Sequence, residues 1–290
     1  MQISDVAFIG LGVMGFPMAG HLAGAGLNVR VYNRTAAKMD KWLAQYSGSS
    51  YLTPKEAVRG CQLVLICVGN DDDVRSVMYG EHGILSGCDE GTIVVDHTTA
   101  SADLAKELEL KLRPAQVQFL DAPVSGGQAG AENGQLTIML GGEQSVYQQV
   151  QSTLAHYARF TQLIGPAGSG QQAKMMNQIC IAGIVQGLAE ALHFGQKVGL
   201  DCSAVVETIS KGAAQSWQME NRATTMLKGE FDFGFAVDWM RKDLAIALDE
   251  ARKQGAVLPL TALVDQFYAD VQNLGGGRND TSSLLRRFSN

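Results

Sequence analysis

Three glycines in Gly10-Leu11-Gly12-Val13-Met14-Gly15 stand at the spacing G-x-G-x-x-G, between an apolar run (Val6–Ile9) and a helical pattern that ends near Gly24-Ala25-Gly26. That context suits a dinucleotide. Gly10 permits a tight turn, Gly12 lets backbone approach a pyrophosphate, and Gly15 lets helix and strand pack closely. A helix starting there offers free N–H groups and the positive end of its dipole to phosphate, with the backbone of Leu11, Val13 and Met14 completing the cradle. The next strand ends in Asn33-Arg34-Thr35, where NAD sites carry an acid for the ribose 2′-hydroxyl; the first acid after it is Asp40. A carboxylate repels a 2′-phosphate, whereas a guanidinium pairs with it through two N–H donors. The expected cofactor is therefore NADP(H) rather than NAD(H), with Asn33, Arg34 and Thr35 as contacts.

Further chemistry is legible downstream. Asp121-Ala122-Pro123-Val124-Ser125-Gly126-Gly127 follows a strand, and its consecutive small residues expose backbone N–H groups suited to a carboxylate. Lys174 and Gln178, four residues apart, share one helix face. Arg241-Lys242-Asp243 opens a helix in the second half. The five histidines show no metal-ligand spacing, and Asp71-Asp72-Asp73 reads as a solvated helix start, so no metal is expected. His97, two residues before Thr99 at a strand end, is the one histidine placed near this chemistry.

These groups need a scaffold. At 290 residues the chain exceeds what one core usually holds, which predicts two domains. In the first half, β-rich runs (Val6–Ile9, Val29–Tyr32, Leu63–Val68, Ile93–Asp96, Val117–Asp121, Leu136–Leu140) alternate with helical patterns, which predicts a parallel sheet with crossover helices. The second half reads as helices throughout, led by a long proline-free segment from Gly170 to Val198. The predicted class is α/β: a doubly wound Rossmann domain over 1–164, then an all-helical substrate and oligomerisation domain over 165–290, joined by a long interdomain helix. Gly183 and Gly187 in that helix are expected to allow close helix packing. A net charge of −6 argues against nucleic acid or an acidic membrane surface as partner. Five cysteines without a C-x-x-C pair, and the absence of about 18 consecutive apolar residues, point to a cytoplasmic protein that does not enter a membrane.

Taken together, FIGLGVMGFPMAGHL (8–22), DAPVSGGQAGAENGQLTIMLGG (121–142), GSGQQAKMMNQ (168–178) and RKDLAIAL (241–248) resemble the β-hydroxyacid dehydrogenase family. The resemblance implies Lys174 as the general acid in aldehyde reduction. It implies Ser125, Gly126 and Gly127 as the anchor for a substrate carboxylate, with Asn177 and Gln178 beside the substrate and Phe235 as an aromatic lid. Thr99 matches the residue beside the nicotinamide, Cys67 and Val68 a strand-end cofactor loop, and Lys242 a cofactor contact from the second domain. Many relatives carry Asn where this chain has Gln178, whose amide projects one methylene further. The implied activity interconverts a small carboxylated aldehyde and its hydroxyacid in a homo-oligomer, a dimer or tetramer. An NAD-linked 3-hydroxyisobutyrate-type enzyme, a 6-phosphogluconate-type decarboxylating enzyme and a non-catalytic cofactor-binding module are the alternatives.

Overall fold

Val6, Ala7, Phe8 and Ile9 have no exposed surface at all, as the near-continuous apolar run of a central parallel strand requires. The computed structural model describes residues 3–288. Its sheet is built from β1 (Asp5–Ile9), β2 (Asn28–Tyr32), β3 (Ser49–Ser50), β4 (Leu63–Ile66), β5 (Ile93–Asp96), β6 (Gln118–Asp121), β7 (Val124–Ser125), β8 (Leu136–Gly142) and β9 (Ala158–Gly165). The spatial order is β3-β2-β1-β4-β5-β6-β8-β7, with β9 on β8. The chain reverses direction across the sheet between β1 and β4, which opens a crevice at their carboxyl ends. β1 to β6 are parallel, but β8 runs antiparallel to β6 and β7. The parallel sheet expected from the sequence is present from β1 to β6, and the chain turns antiparallel at β8. Only a six-residue helix separates β7 from β8, too short for a parallel crossover.

Helices cover both faces of the sheet. α1 (Gly15–Gly24), α2 (Ala36–Leu43), α6 (Gly127–Glu132) and α7 (Gln144–Leu154) bury Met18, Trp42, Ala131 and Val150 against Val6, Phe8, Leu65 and Leu120. α3 (Pro54–Val58), α4 (Asp71–Met78) and α5 (Ala102–Leu112) bury Val58, Met78 and Leu108 against Ala7, Ile9, Ile66 and Val94. Alternate residues of each strand therefore feed two separate cores.

The second unit contains all but the first turns of α8 (Ser169–Lys197), then α9 (Cys202–Ile209), α10 (Trp217–Lys228), α11 (Val237–Gln254), α12 (Pro259–Asn273) and a 3₁₀ segment, Thr281–Phe288. By length and mean hydropathy (1.2 over 18 residues) α8 could cross a membrane. Its Ala182, Val185, Leu188 and Leu192 instead form a core with Met240, Leu244 and Tyr268. A Cβ at Gly183 would meet Leu260 Cδ2 at 3.3 Å, but nothing lies within 4 Å of one at Gly187, so only the first glycine marks close packing within the chain.

The two compact units divide between Lys174 and Met175, ten residues beyond the boundary expected at 164. The start of α8 stays with the sheet because Asp121, at the end of β6, accepts hydrogen bonds from Gly168 N and Gln171 N.

Candidate active site

Register aligns Tyr32, Ile9, Ile66, Asp96 and Asp121 in one row across five parallel strands. The residues that follow each of them leave the same carboxyl edge, so Asn33, Gly10, Cys67, His97 and Ala122 are neighbours by topology.

At the first of these exits Gly10 has φ +104°, and a Cβ on it would strike the Cys67 carbonyl oxygen. A Cβ on Gly15 would strike the Gly10 carbonyl oxygen and come within 2.9 Å of the Phe8 ring, so helix and strand touch as expected. Gly12 faces open space. α1 has Met14 at its N-cap and no side-chain cap, so its first-turn N–H groups lack a side-chain acceptor. Those donors, beside the open face of Gly12, fit the pyrophosphate of a dinucleotide.

Asn33 braces this loop: Leu11 N donates to its Oδ1 at 2.9 Å, and its Nδ2 donates to the Thr35 carbonyl at 3.1 Å. Its amide shapes the cradle, whereas Arg34 projects outward with 85% of its side chain exposed. Arg34 forms an ion pair with Asp73 at 3.4 Å. The Asp71–Asp73 run is thus more than a solvated helix start. Asn70 caps α4 through Asp73 N, Asp71 accepts from the backbone and hydroxyl of Ser101, and Asp72, 96% exposed, pairs with Arg75 at 3.7 Å.

The next two exits are tied together, with Val68 N donating to Thr98 Oγ1 at 3.1 Å. Thr99 follows, half-buried, and Gln171 clasps both sides of it: Nε2 donates to Thr98 O at 2.7 Å and Oε1 accepts from Ala100 N at 3.0 Å. His97 points away from this chemistry. Its Nδ1 lies 2.7 Å from the Ala122 carbonyl, which can only accept, so Nδ1 carries the proton and Nε2 accepts from Tyr157 Oη at 2.8 Å. Burial lowers its pKa to about 4. Asp96, fully buried and bonded to Thr98 N, is raised by burial to about 7.

At the fifth exit Ser125 pairs with Thr137 of β8, and Gly126 (φ +133°) and Gly127 (φ +60°) start α6. Those angles need glycine and leave the turn partly exposed, as a carboxylate anchor would. His21 of α1 lies 3.0 Å from the Ala131 carbonyl, so the helix beginning at Gly15 also holds the helix beginning at Gly127. Lys174 lies one turn past Gln171 on α8 and is buried, with 7% exposure.

In the helical unit, Asn177, Gln178, Lys242 and Asp243 form one cluster. Gln178 donates to Asp243 Oδ2 at 2.7 Å and accepts from Asn177 Nδ2 at 2.8 Å, so its amide is occupied by neighbours. Lys242 Nζ is 3.1 Å from Asp243 Oδ1. Phe235, partly buried, packs against the helical core. Its N–H donates to Asp280, a buried carboxylate that also holds Arg222 and Ser282. Trp217 stacks on Arg222 at 4.9 Å. The Asp121, Gln171 and Asp280 networks are hidden in the sequence because, Ser282 aside, their partners lie 45 to 73 residues away.

Comparison with known proteins resolves the family. Residues 5–165 match the model for the NAD binding domain of 6-phosphogluconate dehydrogenase. Residues 168–288 match that for the NAD-binding domain of NADP-dependent 3-hydroxyisobutyrate dehydrogenase. The chain belongs to the β-hydroxyacid dehydrogenase family. It is 62% identical over 286 residues to an uncharacterized oxidoreductase of Shewanella frigidimarina, covering 99% of this chain and 98% of that one. It is 33% identical to 2-(hydroxymethyl)glutarate dehydrogenase of Eubacterium barkeri, covering 97% and 93% of the two chains. Among solved structures it is similar to 3-hydroxyisobutyrate dehydrogenase of Mycobacterium tuberculosis with L-serine, at TM-score 0.90, 27% identity and full coverage of both chains. This dehydrogenase therefore acts on hydroxyacids with an NAD(P) cofactor, and the reading of a non-catalytic module falls away. When bound, the cofactor supplies or accepts hydride at the substrate carbon; acid–base work and orientation fall to the protein.

Proposed function

We propose that this dehydrogenase interconverts a small carboxylated aldehyde and its hydroxyacid, using NADP(H), with Lys174 as general acid and base. In reduction, hydride reaches the carbonyl carbon while the Lys174 ammonium gives its proton to the oxygen; oxidation reverses both transfers. Ser125, Gly126 and Gly127 hold the substrate carboxylate, with Asn177, Gln178 and Phe235 shaping the substrate side. Thr99, Cys67, Val68 and Lys242 join the glycine loop around the cofactor. The observation that carries this reading is the buried Lys174 one turn beyond Gln171, whose side chain is bonded on both sides of Thr99. The molecules named with the relatives support the substrate class, since L-serine and 2-(hydroxymethyl)glutarate both carry a primary alcohol β to a carboxylate.

The test is NADPH oxidation against glyoxylate and the succinic, tartronate and methylmalonate semialdehydes, wild type beside Lys174→Ala. Loss of a proton donor costs about 10²- to 10⁴-fold in kcat, with dinucleotide affinity kept within about twofold. Turnover by Lys174→Ala near the wild-type rate would sink the mechanism.

A second reading, NAD-linked 3-hydroxyisobutyrate-type oxidation, draws support from Asp73. Its carboxylate lies 3.4 Å from Arg34, in reach of a ribose 2′ position that Arg34 could contact. The ratio of kcat/KM for NADPH and NADH decides between the two. We further propose a cytoplasmic homo-oligomer, a dimer or tetramer, acting on diffusible substrates rather than on nucleic acid or membranes. Along α8, Met176, Cys180, Ile184 and Phe194 are exposed and fall on one helical face, opposite the side that forms the core. A second copy of this chain would cover that apolar stripe.

A further inference from the structure

A helix normally satisfies its first N–H groups with a local Ser, Thr, Asp or Asn. The residues before α8 are Gly165-Pro166-Ala167-Gly168, which bring no side-chain oxygen. Asp121 supplies it from another element. Its Oδ1 accepts from Gly168 N at 2.8 Å and its Oδ2 from Gln171 N at 2.9 Å. The carboxylate has no exposed surface, and it sits against two glycines. A Cβ on Gly141 would strike Oδ1, and one on Gly170 would come within 2.8 Å of Oδ2. Gln171, 1% exposed, adds the second tie, to the carbonyl and N–H that flank Thr99.

Two acceptors on N–H groups three residues apart fix both the axial position and the rotation of a helix start. Together the ties join three pieces: the end of β6, the Thr98–Ala100 strand exit and the first turn of α8. Lys174 is the next residue on the Gln171 side of that helix, three positions on.

We propose that Asp121 and Gln171 are positioning residues for turnover, a two-part buckle that sets Lys174 against the Thr99 exit. The proposal rests on the reading of Lys174 as proton donor. Neither residue touches substrate or cofactor, because the polar atoms of both are taken by buried backbone groups. The buckle acts on geometry, where a misplacement of about 1 Å costs on the order of 10²-fold in rate. It therefore governs kcat and leaves binding of the dinucleotide, whose glycine loop hangs from β1, intact.

The test uses the full chain and the fastest aldehyde of the panel above. Asp121→Asn keeps volume but turns an NH₂ toward one of the two backbone donors. Gln171→Met keeps volume and removes both ties to the Thr99 exit. For each variant, kcat, KM, the solvent deuterium isotope effect on kcat and the dinucleotide Kd by fluorescence titration are measured well below the melting temperature. The expected result is a kcat reduced tenfold or more, KM and Kd within threefold, and a solvent isotope effect larger than that of wild type as proton transfer becomes limiting. Lys174→Ala is run beside them. A dead Lys174→Ala with wild-type kcat in both buckle variants overturns the buckle and leaves the mechanism standing. An active Lys174→Ala overturns the mechanism and the buckle with it. A lowered melting temperature with unchanged kcat and isotope effect, or failure of both variants to fold, assigns the pair to stability alone and likewise overturns the proposal.

Discussion

Asp96→Asn should make the protein more stable at neutral pH and leave it unchanged at acid pH. Asp96 is 2% exposed, and burial raises its carboxyl from 3.8 to about 7, with the neighbouring Asp121 and Asp71 adding to the rise. Between those two values the unfolded chain has released the proton and the folded chain still holds it. Stability from this group therefore falls as pH rises from about 4 to 7, by about 1.4 kcal/mol per unit and about 4 kcal/mol in all. His97, the next residue, works in the opposite sense. Burial lowers its pKa from 6.5 to about 4, so the unfolded chain takes up a proton first and stability falls as pH drops through that window, by about 3 kcal/mol. Over pH 4 to 6.5 the two slopes oppose each other, and wild type gains or loses little from this pair. Asparagine keeps an oxygen for the Thr98 N–H bond and removes the ionisation.

The assay is urea unfolding at pH 5, 6, 7 and 8. Trp42 is fully buried in the sheet unit, while Trp217 and Trp239 lie in the helical unit, so a Trp217→Phe, Trp239→Phe background makes fluorescence report the sheet unit alone. The difference between Asp96→Asn and wild type should grow by about 1.4 kcal/mol per unit from pH 5 to 7 and level off by pH 8. Groups present in both proteins, Asp121 among them, largely cancel from that difference. A difference constant across the range would refute the raised carboxyl. A loss of stability at pH 8 would show that the ionised form is the one the fold stabilises.

Two other outcomes follow from the surface. Asp73→Asn releases Arg34 from an exposed ion pair worth under about 1 kcal/mol and removes a charge that would oppose a 2′-phosphate. NADPH should bind a few-fold more tightly and NADH no differently, as titration of each will read; equal effects on both would remove Asp73 from cofactor choice. Ile184→Glu with Phe194→Glu places two charges on the apolar stripe of α8, exposed by 42% and 64% in the single chain. Light scattering should then give a smaller assembly than wild type, and an unchanged mass would move the interface elsewhere.

What the sequence disclosed and what it concealed divide along the range of the interactions. The glycine loop was legible because its causes are local: Gly10 and Gly15 are demanded by contacts with Phe8, Cys67 and each other, all beside one strand end, while Gly12 leaves the face between them open. The long helix was legible for the same reason, through an unbroken pattern from Gly170 to Val198 that matches Ser169–Lys197 closely. The antiparallel turn of β8 was not, since pairing direction depends on what length of chain lies between β7 and β8 rather than on the strands themselves. Side-chain direction was concealed too. Asn33 reads from sequence as a ribose contact and Gln178 as a substrate contact, yet each amide is held by partners, Leu11 in one case and Asp243 in the other. Asp121 joins both lessons. As the first letter of its glycine-rich motif it was visible as part of a carboxylate nest, but the small residues it requires are Gly141 and Gly170, distant in sequence and placed against its two oxygens only by the fold. A motif can thus contain one residue that faces the ligand side and another that faces the scaffold. In this chain the scaffold-facing one is bonded to the helix that carries Lys174.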